Sequence, residues 1–159
     1  ILGALGTGRN GYPSAKAPSF KIQIESTAQF NENYVLATQN INSLFVIWCH
    51  WCGLGDPAKV RTWLEQLPNL HCDLGWLHQD QSAFPNRLVD DDGRFIPAWK
   101  ELIEAYPDRF LAAINASDIE DFQKQYQTRV KKVRKALGDL QPTVARKVAT
   151  ENLHRLLGQ

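Results

Sequence analysis

The run Leu44-Phe45-Val46-Ile47-Trp48-Cys49-His50-Trp51-Cys52-Gly53-Leu54-Gly55-Asp56-Pro57 holds a strand, a histidine between two cysteines, and a helix start. The apolar residues at 44–48, rich in β-branched and aromatic side chains, predict a buried strand. Asp56 before Pro57 reads as an N-cap with proline in the first turn, and Val60, Trp63, Leu64 and Leu67 then recur on one helical face. Strand, polar strand end and helix make one βα unit.

Working outward, the same unit recurs. Phe20-Lys21-Ile22-Gln23-Ile24, Leu70-His71-Cys72-Asp73-Leu74 and Phe110-Leu111-Ala112-Ala113-Ile114 predict three further strands. One helix carries Ile96, Trp99, Leu102 and Ile103. Another opens on the capping box Ser117-Asp118-Ile119-Glu120 and continues through Phe122, Tyr126, Val130, Val133 and Leu137, and a last one follows Pro142 with Val144, Val148 and Leu156 and stops at Gly158. Residues 1–18, with Gly3, Gly6, Gly8, Gly11, Pro13 and Pro18, predict an entry loop before a single domain over 19–159. Strand and helix in alternation demand parallel strands with helical crossovers, an α/β fold. Four such units suit half of an eightfold barrel or a small doubly wound sheet. In both, functional residues gather at the strands' carboxyl ends, here 23–27, 49–53, 75–79 and 115–118.

Composition bounds the function. With 159 residues, 43% hydrophobic, 22% charged and a formal net charge of +1, the chain can bury a core and has no concentrated basic face for nucleic acid or an anionic membrane. No apolar run approaches the roughly 18 residues of a membrane span. A soluble protein is expected, with the cytoplasm favoured and the periplasm kept as the alternative, because three cysteines are too few and too odd in number for a disulfide framework. Ile1 at the start and the lack of methionine lead us to expect a fragment or a processed chain.

Several motifs have a plainer reading beside the functional one. Gly6-Thr7-Gly8-Arg9-Asn10-Gly11 matches a dinucleotide fingerprint, but Tyr12 and Pro13 follow where the helix is required, so a loop is expected. Trp48-Cys49-His50-Trp51-Cys52 has the order of a thioredoxin-like site using Cys49 and Cys52. Gly53 and Gly55 are expected to hold the helix back to Asp56, outside reach of the thiols. Zinc on Cys49, His50 and Cys52 is disfavoured because adjacent strand residues face opposite ways, and buried structural cysteines are the expectation. Arg129, Lys131, Lys132, Arg134 and Lys135 alternate with Val130 and Val133 and read as a solvated helix face. Asn115-Ala116-Ser117 is a formal glycosylation acceptor at a strand end.

From His50 onward, Val46-Ile47-Trp48-Cys49-His50 with Gly53-Leu54-Gly55 resembles the strand-end histidine segment of the amidohydrolase-related TIM barrels. Pro68-Asn69-Leu70-His71-Cys72-Asp73-Leu74 is similar to that family's next strand, Asp92-Gly93-Arg94-Phe95-Ile96-Pro97-Ala98-Trp99 to its following turn and helix start, and Tyr106-Pro107-Asp108-Arg109-Phe110-Leu111 to the approach to its last strand. Ala145, Lys147-Val148-Ala149, Asn152 and Arg155-Leu156-Leu157 resemble its closing helix.

This resemblance, over about residues 20–157, implies the second half of a (β/α)8 barrel with an extra C-terminal helix. The N-terminal half would come from missing sequence or a partner chain. It implies a hydrolase in which water on a divalent metal, zinc by preference, attacks a small carbonyl-containing substrate. His50 falls on the family's metal or substrate histidine, Gln23 on a second histidine, and Asn115 on the aspartate that takes the water's proton. Glutamine is a poorer ligand and asparagine cannot act as that base. Glu25 or Asp118 substitutes if the register shifts, and a catalytically degenerate barrel serving as a binding module is the alternative.

Overall fold

The computed structural model describes residues 45–54, 56–75, 77, 86–116 and 118–158. Among the described residues three strands, β1 (Val46–Trp48), β2 (Leu70–Asp73) and β3 (Phe110–Leu111), form a parallel sheet in the order β1-β2-β3. Val46 lies opposite Leu70 and Trp48 opposite Cys72, while Cys72 faces Phe110 on its other side and Asp73 faces Leu111. The expected strand 20–24 and the entry loop 1–18 lie outside the described residues.

Helical segments fill the connections. The turn α1 (Cys49–Leu54) and α2 (Pro57–Gln66) join β1 to β2, and α3 (Pro97–Ala105) lies between β2 and β3. The long α4 (Ile119–Leu137) follows β3, and α5 (Pro142–Arg146) runs through a π-helical turn (Lys147–Glu151) into α6 (Asn152–Leu157). Asp56 caps α2 as its sequence implies, accepting from the N–H groups of Ala58 and Lys59 at 2.9 and 3.3 Å. The cap of α4 is Asp118, accepting from Asp121 N–H at 2.8 Å, one residue later than the Ser117 of the expected box.

The core gathers side chains from the sheet and these helices. Val46 and Trp48 of β1, Val60, Trp63 and Leu64 of α2, Trp99, Leu102 and Ile103 of α3, and Phe110 of β3 are all buried. Trp48 stacks on Trp63 with ring centroids 5.0 Å apart. Each such side chain contributes about 1.5–3 kcal/mol by leaving water. The apolar stripe of α4 is buried only at its carboxyl end: Val133, Ala136 and Leu137 join the core, whereas Ile119, Phe122 and Tyr126 are exposed. A helix of 19 residues is roughly 28 Å long, about twice the span of the four-residue β2, so it overruns the layer it packs on.

The outer edge of β3 is covered by the C-terminal helices. In the π-helical turn the N–H of Asn152 bonds to Lys147 O, so the Val148 carbonyl loses its usual donor four residues on. Ala112 N–H donates to that carbonyl at 2.8 Å, and the buried Asn152 side chain donates to Pro107 O and Phe110 O, both at 2.8 Å. A strand added beyond β3 has to exchange these bonds. No helix among the described residues is long and apolar enough to cross a membrane.

Candidate functional site

His50 follows β1, Asp73 ends β2 and Asn115 lies four residues beyond β3, so the parallel sheet carries all three to its carboxyl edge with Asp73 in the middle. His50 and Asn115 meet: Asn115 Nδ2 donates to His50 Nε2 at 2.7 Å across 65 residues of sequence. In that arrangement the imidazole keeps its proton on Nδ1. Burial lowers the His50 pKa from its ordinary value, and the Asp73 charge works against that shift, so the ring is neutral at neutral pH.

Asp73 is the residue that sequence reasoning misses. Its signal was a carboxylate in the last position of a buried strand, a residue type depleted there. Oδ1 of Asp73 accepts from the backbone N–H groups of His50 and Gly75, both at 2.8 Å. Gly75 is required by space: a Cβ there would stand 2.7 Å from Asn115 Oδ1, 2.8 Å from Asp73 Oδ1 and 3.2 Å from His50 Cδ2.

The segment bearing His50 is unusual. His50, Trp51 and Cys52 take φ of 58°, 40° and 57°, three successive left-handed residues without a glycine. The helix capped by Asp56 begins at Pro57 as expected, and the left-handed turn α1, which the sequence did not announce, precedes it from Cys49. Left-handed backbone costs roughly 1–2 kcal/mol per residue, about 3–6 in all. Two attachments hold it. One is the Asp73 bond to the His50 N–H, and the other is a disulfide between Cys52 and Cys72, 20 residues apart. Closing a loop of that length contributes about 3 kcal/mol, and a hydrogen bond to a carboxylate about 1.5–3, enough to offset the strain.

The disulfide corrects the expectation of unpaired cysteines. An odd count leaves one thiol over but says nothing of which two pair. The choice is made by β2 lying beside β1, which brings Cys72 under the turn. Cys49 stays a thiol. Burial first, then the charge of Asp73 and its hydrogen bond, push its pKa up to about 12, the reverse of an activated thiol. Cys52 is bound to Cys72 and not to Cys49, so the geometry does not assemble the thioredoxin-like pair.

Arg129 departs from the solvated face expected for 129–135. It reaches back to Asn115, with Nη1 2.5 Å from the Asn115 carbonyl, and its guanidinium forks onto Asp121 at 2.8 and 2.5 Å. The side chains of Arg129 and Asp121 are only 12% and 22% exposed. Lys131, Lys132, Arg134 and Lys135 are exposed, as expected. Asn115 is thus held at its backbone by α4 and at its amide by His50, which argues against the glycosylation reading. Asp118 is occupied as the α4 cap and does not replace a base. Gln23 and Glu25 lie outside the described residues.

A divalent metal does not fit the residues gathered here. Nε2 of His50, the atom that would bind it, already receives the Asn115 amide, and Oδ1 of Asp73 already accepts two backbone N–H groups. Among the described residues no three His, Cys, Asp or Glu side chains are grouped to hold an ion. Compared with protein-family models, with curated proteins and with solved structures, the chain finds no match.

Proposed function

We propose that the carboxyl edge of the sheet binds a small carbonyl-containing molecule, in a protein resembling amidohydrolase-related barrels but altered at Gln23 and Asn115. The observation that carries this is the hydrogen bond from Asn115 to His50. An uncharged amide stands where the resemblance puts an aspartate. The pair therefore offers donors and acceptors to a ligand but no carboxylate base. Neutral imidazole and carboxamide suit an uncharged carbonyl or hydroxyl, and Asp73 beside them disfavours an anion. The frame in this reading is the second half of a (β/α)8 barrel, with the remainder supplied by further sequence or a partner chain.

The second reading is a metal-dependent hydrolase, with zinc the preferred ion. It rests on the resemblance, and it requires the Asn115 amide to leave Nε2 of His50, where it is bonded at 2.7 Å. The two readings part on titration with zinc and, separately, with small amides and ketones, each followed through the His50 ring nitrogens by NMR. Binding of a carbonyl compound with no response to stoichiometric zinc supports the binding module. Stoichiometric zinc that displaces Asn115 from Nε2 supports the hydrolase, and Asn115→Asp with Gln23→His then raises metal affinity and hydrolysis. A ring that responds to neither sinks the site.

A further inference from the structure

We propose that the Cys52–Cys72 disulfide is a redox latch on this site, whose reduction by a dithiol releases the turn at 50–52 and withdraws His50 from Asn115. The turn is pinned at both ends to consecutive residues of one strand: the His50 N–H to Asp73, and Cys52 to Cys72. The two pinned residues and Trp51 between them are all left-handed, and none is glycine. Such backbone persists only under constraint. Removing the Cys52 pin lets these torsions return to the right-handed region, which swings the His50 ring away from the Asn115 amide 2.7 Å distant.

The step balances without participation of the protein's third cysteine. The dithiol supplies two electrons and two protons and closes to its own disulfide. The Cys52–Cys72 bond breaks, and each sulfur ends as a thiol. Cys49, half-buried beside Asp73, stays protonated and does not compete as the attacking group. Both linked cysteines are fully buried, so the reductant reaches them only when the turn opens, and the oxidised state is correspondingly persistent. The consequence for ligand affinity rests on the binding reading given above; the movement of His50 does not.

The intact chain is compared oxidised and after dithiothreitol, with thiols mapped by alkylation and the His50–Asn115 hydrogen bond followed by NMR of the ring nitrogens and the side-chain amide. We expect a Cys52–Cys72 link in the oxidised protein. On reduction the His50–Asn115 correlation is lost, while methyl signals of Val60 and Leu102 in the core are kept. Cys52→Ser with Cys72→Ser reproduces the reduced pattern. Three outcomes overturn the latch: a His50–Asn115 bond that survives reduction, a core that melts together with the turn, or alkylation that maps the link to Cys49. A latch that behaves as expected in a protein that binds no carbonyl ligand refutes the binding reading alone.

Discussion

The side-chain amide of Asn115 donates to Nε2 of His50 at 2.7 Å, joining the carboxyl ends of the two strands that flank β2 above its last residue. Neither residue owes its position to its own strand alone: His50 is held through Asp73 and the Cys52 linkage, Asn115 through Arg129. Asn115→Ala leaves the half-buried Nε2 without this donor and is expected to cost about 1–2 kcal/mol in urea unfolding. Asn115→Asp brings a negative charge to the ring and raises the His50 pKa, read by NMR titration. An unchanged His50 titration in Asn115→Asp contradicts the contact.

Gly75 and Gly138 are expected to respond oppositely to alanine. At Gly75 the new methyl meets Asn115, Asp73 and His50 within 3.2 Å, and crowding of this kind costs about 1–3 kcal/mol. At Gly138 the backbone is right-handed (φ −65°) and the nearest atoms are 3.4 Å away, so Gly138→Ala is tolerated or stabilises by up to about 1 kcal/mol. Chemical denaturation of both variants checks this, and equal effects contradict it.

His71 sets an acid limit on stability. Burial, with Arg109 and Arg155 nearby, lowers its pKa to about 4, while its bond to the Asn69 carbonyl opposes the shift. Above about pH 6.5 the ring is neutral in both folded and unfolded chains. Between 6.5 and 4 the unfolded chain takes up the proton first, so stability falls as pH falls, by about 3 kcal/mol when the change is complete. His71→Gln is expected to flatten the dependence of the urea midpoint in this window. A slope equal to that of the parent assigns the loss elsewhere.

Asn152 is expected to be among the costliest polar positions. Its amide serves two carbonyls, of Pro107 and Phe110, in a fully buried place. Asn152→Ala leaves both carbonyls without this donor and costs about 2–4 kcal/mol, with faster hydrogen exchange at the Ala112 N–H beside it. A loss below about 0.5 kcal/mol argues that the C-terminal helices do not close the edge of β3.

What the sequence determined by itself is local. The alternation of β-branched runs and amphipathic segments is enough for β1, β2, β3 and the helices α2, α3 and α4, because each depends on the spacing of its own residues. The Asp56 cap is legible for the same reason. Parallel strands then imply that His50 and Asn115 share an edge, and they do.

The tertiary structure decided everything that depends on which strand lies beside which, and in what register. Cys52 takes Cys72 as partner and not Cys49, because β2 runs next to β1, a fact absent from cysteine count or spacing. The same adjacency makes Asp73 a clamp and holds a left-handed turn at His50, Trp51 and Cys52, where no glycine announces one. Arg129 looks like one more cation on a wet helix face until Asp121 and the Asn115 carbonyl come within its reach. The exposed stripe of Ile119, Phe122 and Tyr126 has the helical spacing of a buried face; periodicity states which residues share a side, and only packing decides what covers it.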